Sequence, residues 1–320
     1  MRRLLAAALA AATVTLGLAV ASTAPAGAAD VACGNFSSSL GTCVNSNLTV
    51  GGTSYSVDWY LPKGTPVGLM LLEHGFSRGC GNLRGTSKAI MEKGLVVLCL
   101  NADMSGGNPG LGNALGDLLA SRAFALPGAR PVPTAYLVGG HSAGGHFASV
   151  VGARLAAKGY AGLKGAVLFD PVASDGFTAN LQAISANGAR PVLSVAARPT
   201  VANLSNNSFG ALKDLANPFV GVQLVWAGYS FLGPYGGSCH TDVEGENTDL
   251  IGSAGSLCSP NATQTARLRD LGSTWARDVA TGTRTAAYWC TDGSNKATCG
   301  TKVSSLVGGS LPVALLIPVR

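Results

Sequence analysis

The sequence predicts an α/β fold: a single domain built on a mostly parallel central sheet flanked by helices. Three observations predict it. Short apolar runs of strand length alternate with longer stretches of helical spacing, the order that lays strands side by side through right-handed helical crossovers. One such run, at 135–138, passes through Gly139-Gly140-His141-Ser142-Ala143-Gly144-Gly145 into an alanine-rich stretch of helical spacing at 146–158, so strand, sharp turn and helix follow in succession. The 320 residues contain no linker, charge run or fixed-period repeat, and are enough for one large core.

Met1-Arg2-Arg3, an apolar run over 4–20 and small residues over 21–29 have the three-part form of a secretory signal, with cleavage expected after Ala28. The expected layout is therefore a leader over 1–28 and one domain over 29–320. No other segment has the apolar length of a membrane span, so a secreted, extracellular protein without stable membrane insertion is expected.

A polar lead-in over 30–47 carries the first two cysteines, and runs at 48–50 and 55–61 flank the turn residues Gly51-Gly52-Thr53-Ser54 as a hairpin. Pro62 and Pro66 break that pattern. The stretch 68–73 is apolar enough for a strand covered on both faces, and 83–93 has helical spacing. A strand at 94–100, a glycine-rich loop over 101–112 and a helix over 111–124 come next. Beyond the serine turn, strands are expected at 164–169, 191–197 and 221–227, with a helix over 203–216. A loop over 228–259 carries His240, a helix spans 264–280, and the apolar tail at 311–319 packs on the body.

Only 12% of residues are charged, which is unlike a disordered chain. The formal charge is +6; without Arg2 and Arg3, 20 basic residues face 16 acidic ones. The excess forms no basic run and no aromatic-interleaved stripe, so no nucleic-acid partner is expected. Eight cysteines suit an oxidising compartment. Their connectivity is open; local pairing (Cys33 with Cys43, Cys80 with Cys99, Cys239 with Cys258, Cys290 with Cys299) is the simplest arrangement. No paired C-x-x-C occurs, and His141 and His146, five apart, do not share a helical face, so no metal site is expected.

A serine forced into a tight turn between strand and helix tolerates only residues without bulk two before and two after it, and Gly140 and Gly144 meet that demand. The turn presents the Ser142 hydroxyl beside the helix N-terminus, whose free N–H groups favour a developing anion.

This Gly-x-Ser-x-Gly turn, together with His74-Gly75 at the end of an earlier strand, resembles the α/β-hydrolase superfamily. The resemblance implies that Ser142 is a nucleophile and that the backbone N–H groups of Phe76 and Ala143 form an oxyanion hole. It also implies the order nucleophile, acid, histidine. Of the four histidines, His74 belongs to the oxyanion strand, His141 adjoins the serine and is read as pointing away, and His146 lies on the following helix. His240, after the final strand, is left as the base. Residues 198–202, where most of the superfamily place the acid, contain no carboxylate. Asp170, one strand earlier, takes that role, as in chlorophyllases and secreted platelet-activating-factor acetylhydrolases, with Asp175 as the alternative and Asp242 read as loop solvation. Leu168-Phe169-Asp170-Pro171-Val172 is similar to the chlorophyllase segment, although Ala143 stands where that family has a basic residue. Gly-His-Ser-x-Gly-Gly, a late cysteine pair and export are similar to secreted bacterial polyester hydrolases and cutinases.

The implied activity is a secreted carboxylic-ester hydrolase acting on lipid or polyester, monomeric, with no metal or organic cofactor. A peptidase or acyltransferase with the same triad, or a silent hydrolase-fold binding protein, are the alternatives. Phe76, Tyr229, Phe231 and Tyr235 are candidates either to line an acyl or aryl cleft or to pack elsewhere; the substrate-binding residues are otherwise unassigned.

Overall fold

Gly51 and Gly52 take φ of 58° and 85°, the two left-handed positions of a tight hairpin turn. They join β2 (Gly41–Val50) to β3 (Thr53–Pro62), which pair in register from Val50 with Thr53 to Gly41 with Pro62. The hairpin is thus longer than the expected 48–50 and 55–61, because Gly41, Cys43, Leu48 and Val50 of β2 also turn inward. A two-residue β1 (Val31–Ala32) lies against β2. The computed structural model describes residues 31–318, and the secretory leader expected at 1–28 lies outside the described residues.

The remaining elements follow in chain order. They are β4 (Gly68–Glu73), α1 (Arg84–Glu92), β5 (Leu95–Leu100), α2 (Pro109–Ser121), β6 (Tyr136–Ser142), α3 (Ala143–Ala157), β7 (Leu163–Pro171), α4 (Phe177–Ser185), β8 (Val192–Ala196), α5 (Phe209–Lys213) and β9 (Gly221–Leu224). After these come β10 (Trp226–Ser230), β11 (Gly233–Gly237), α6 (Leu250–Ser256), α7 (Ala262–Thr281), α8 (Thr301–Val307) and β12 (Ala314–Leu316).

One ten-stranded sheet has the order β1-β2-β3-β5-β4-β6-β7-β8-β9-β12. Its middle, from β5 to β9, is parallel throughout, while β1 to β3 and β12 run antiparallel at the two edges. Both β4 and β5 are buried along their whole length, as their unbroken apolar runs require of strands covered on both faces. Side chains alternate between faces. Leu69 and Leu71 join the core that α2, α3 and α4 complete with Leu115, Phe147 and Leu181. Met70 and Leu72 join the core closed by Ile90 of α1, Trp275 of α7 and Val303 of α8.

The chain departs from expectation mainly after β7. The helix expected over 203–216 is reduced to α5; ahead of it Leu204, Ser205 and Asn206 sit at φ of 48°, 55° and 58°, a turn rather than a helix. The strand expected over 221–227 ends at Leu224, and β10 leaves to form a separate two-stranded sheet with β11. The expected 228–259 loop therefore holds most of a hairpin and α6, and α4 is an element that the spacing did not suggest. The apolar tail does pack on the body, with β12 pairing antiparallel to β9. Four disulfides join the cysteines locally: Cys33–Cys43, Cys80–Cys99, Cys239–Cys258 and Cys290–Cys299.

Candidate active site

Strand β6 ends at Ser142, whose backbone takes φ 55° and ψ −126° before α3 begins at Ala143. A non-glycine residue is held in that strained region only where its surroundings over-determine it. Here the surroundings are backbone. A methyl on Gly144 would strike the carbonyl oxygens of Glu73 and His74 at the end of β4, and one on Gly140 would strike the carbonyl of Gly144 itself. The loop after β4 presses on the other side, so that a methyl on Gly75 would lie 3.0 Å from Ser142 Cβ. Ala143 opens α3, and its N–H belongs to the first turn that has no partner within the helix. Phe76 follows Gly75 in that loop and lines the same pocket as Ser142.

Asp170 lies at the carboxyl end of the neighbouring β7, also at positive φ (45°), and the amide of the nearby Val172 donates to the Ser142 carbonyl at 3.1 Å. The Asp170 carboxylate is buried and faces His240 Nδ1 at 2.6 Å. Since an ionised carboxylate only accepts, Nδ1 carries the proton and Nε2 keeps a free lone pair. The carboxylate also accepts from the Ala197 amide at 3.0 Å and from Asn203 Nδ2, at 3.1 Å to Oδ2. Asn203 is fully buried. Its Nδ2 also reaches the Arg198 carbonyl, and its Oδ1 accepts from the amides of Thr200 and Asn206. The segment after β8, which lacks a carboxylate, thus supplies the group that orients one.

His240 begins a short 3-10 turn after β11, and Ser142 and His240 line one pocket of about 290 Å³ together with Gly75, Arg78, Thr241 and Ile251. Among the described residues the Ser142 hydroxyl makes no hydrogen bond to the imidazole, a looseness common in sites without substrate. His141 does not point away as the sequence suggested. Its ring sits 4.4 Å from that of His240, and Nε2–H donates to the His240 carbonyl at 2.8 Å. Burial, then the His240 ring, hold its pKa well below the usual histidine range, so it serves as a neutral buttress.

The segment bearing His240 is fastened from several directions. Cys239 is bonded to Cys258. Asp242 accepts from the Cys239 amide at 2.7 Å and the Asn261 amide at 2.8 Å, and burial pushes its carboxyl up to about 7. It is therefore a buried cap rather than a solvated loop residue. Glu244, fully buried, takes a two-pronged ion pair from Arg78 of the loop after β4, at 2.8 and 2.6 Å, and Arg78 also reaches Asp249 at 2.8 Å. One guanidinium thus ties the loop carrying Phe76 to the segment carrying His240.

Asp175, the alternative acid, is exposed and lies near His146, not His240. Of the four aromatic candidates only Phe76 lines the pocket. Tyr229 and Tyr235 belong to β10 and β11, where the Tyr229 hydroxyl donates to the Pro312 carbonyl, and Phe231 stands in the exposed tip between those strands. Cys33, Cys43 and Asp58 are close enough together to suggest a metal site, but the two sulfurs are bonded to each other and cannot serve as thiolate ligands.

Asn203, Arg78 and Glu244 are the residues that sequence reasoning missed. Asn203 stands at the start of a stretch, 203–216, whose spacing reads as helical. Arg78 and Glu244 are 166 residues apart, and nothing local announces such a pair.

No family model matches the sequence, and no curated protein matches it significantly. Solved structures do. A carboxyl esterase 2 from the mycorrhizal fungus Tuber melanosporum, 16% identical, superposes with a TM-score of 0.51 over 77% of this chain and 89% of its own. A dienelactone hydrolase from Anabaena variabilis gives 15% identity and a TM-score of 0.44 over 58% of this chain and 88% of its own. A fluorophosphonate-binding serine hydrolase from Staphylococcus aureus gives 15% and 0.42, over 57% of this chain and 90% of its own. At 16% identity the likeness to the carboxyl esterase is one of architecture, and the architecture is the α/β-hydrolase fold.

Proposed function

We propose that the chain is a secreted carboxylic-ester hydrolase whose nucleophile is Ser142, whose base is His240 and whose acid is Asp170. The observation that carries this reading is the pairing of His240 Nδ1 with a fully hydrogen-bonded Asp170 inside the pocket that also holds the strained Ser142 turn. The anion fixes the ring and its tautomer, which leaves Nε2 to take the serine proton. Ser142 Oγ then attacks the ester carbonyl, and the Phe76 and Ala143 N–H groups receive the oxyanion. His240 protonates the departing alcohol, water repeats the attack on the acyl-enzyme, and the acid leaves. No step calls for a metal or an organic cofactor. Lipid or polyester is the substrate class, and the protein acts as a monomer. The four disulfides are compatible with an extracellular setting, and no helix of the described residues is long and apolar enough to cross a membrane.

A fluorophosphonate probe tests the assignment. Labelling of the parent protein is expected at Ser142, absent in Ser142→Ala, with turnover of p-nitrophenyl butyrate falling about 10⁴-fold or more in Ser142→Ala and in His240→Ala. An unlabelled parent, or a Ser142→Ala protein that retains turnover, sinks it.

A further inference from the structure

Six exposed large hydrophobic side chains gather at one end of the sheet. Phe76, Val201, Leu204, Leu250, Ile251 and Leu257 all stand exposed on connections beyond the carboxyl ends of the parallel strands, where the pocket opens. Phe76 and Ile251 also line that pocket, as does Ala202 beside Val201, so the apolar rim continues the pocket wall outward. Folding alone does not account for it. α6 contains no large side chain besides Leu250 and Ile251, and Leu250 and Leu257 are 88% and 78% exposed. Leu257 ends the helix at φ 53°, a left-handed cap where glycine or asparagine is favoured and leucine is strained.

We propose that this rim docks on the fluid surface of an uncharged, water-insoluble aliphatic ester, the bulk form of the substrate taken by the Ser142 pocket; the substrate half of the statement rests on the ester-hydrolase reading above. Two observations select the occupant. Arg78, a cation lining the pocket, is buried in ion pairs with the buried Glu244 and with Asp249, the one exposed member of the three, so this cluster offers no positive patch to anionic headgroups. The β10–β11 hairpin, which leaves the sheet just after β9 and returns directly to His240, carries Phe231 and Leu232 at its tip, 96% and 84% exposed. A fluid admits side chains that stand so far out, whereas a rigid solid face is held off by them.

The test separates adsorption from turnover. Ser142→Ala is mixed with a triolein emulsion, a solid polycaprolactone film and phosphatidylglycerol-containing vesicles, and the bound fraction is measured. Strongest adsorption is expected on the emulsion, and adding Leu250→Gln with Leu257→Asn is expected to reduce it about tenfold or more. Asparagine relieves the strained cap, so an unchanged or raised Tm excludes unfolding as the cause. In the Ser142 background the same pair should lower triolein hydrolysis in step with adsorption and change turnover of dissolved p-nitrophenyl acetate by less than about twofold. Unchanged adsorption in the leucine variant, or stronger adsorption of the parent to film or vesicles, overturns the docking proposal. Intact, leucine-dependent adsorption without hydrolysis of any ester supports the docking face and overturns the ester-hydrolase reading instead.

Discussion

What holds Ser142 in its turn lies in β4, β6, α3, the loop that follows β4 and the end of β7, and most of it is main chain meeting glycine. His240, 98 positions later, is held by Asp170, by the His141 ring, by the Cys258 sulfur, by Asn261 through Asp242 and by Arg78 through Glu244. One half of the pocket is set by close approach of backbone that cannot yield, the other by side-chain ties gathered from distant segments. The comparison teaches where each half is vulnerable: the serine side fails through sterics, the histidine side through the loss of a link.

The largest expected effect breaks the serine side. Gly144→Ala drives a methyl into the carbonyls of Glu73 and His74 at the end of β4, and because β4 and β6 are central strands, we expect a loss of more than about 4 kcal/mol in urea unfolding, or no folded protein at all. An unfolding midpoint equal to the parent's would show that the turn is not set by backbone packing.

A smaller loss is expected on the histidine side. Replacing Cys239 and Cys258 together by serine opens a 19-residue separation, worth up to about 3 kcal/mol. Because the bond fixes the His240 segment and not the central sheet, activity should fall at temperatures where the circular dichroism of the sheet is unchanged. Coincident loss of both signals would merge the two halves into one cooperative unit.

The smallest effect sharpens the comparison by pH. Burial raises the Asp242 carboxyl from 3.8 to about 7, so between those values the folded protein keeps a proton that the unfolded chain has released. This stabilising contribution is fully present below the unfolded pKa and is lost as pH rises through about 7. The Tm of the parent minus that of Asp242→Asn should therefore shrink between pH 5 and pH 8. A difference that is flat or grows with pH would mean that the cap is ionised throughout.

The same contrast explains what could be read from the chain. The β4, β5 and β6 runs, the Gly51-Gly52 turn and the Ser142 turn all declare themselves within a dozen residues, because apolar alternation and glycine spacing are local signals. Asp170 and His240 were reachable only through the superfamily's chain order, and the structure places their side chains together. Asn203 was hidden for the opposite reason: its spacing looked helical, but its amide satisfies four groups in a turn, and such local side-chain bonding competes with helix. The run over 221–227 read as one strand, yet Val225 breaks it, with Arg198 stacked over Trp226 at 4.3 Å on the far side of the break. The stabilising partner of Trp226 is 28 positions away.

The order of the sulfur bridges has a consequence for biogenesis. Each cysteine is joined to the next one along the polypeptide, first with second, third with fourth, and so on to the eighth. An oxidant acting on each new pair of thiols as the growing chain delivers it would arrive at the native set without reshuffling, so maturation of this protein in an oxidising compartment should be insensitive to the loss of a disulfide isomerase.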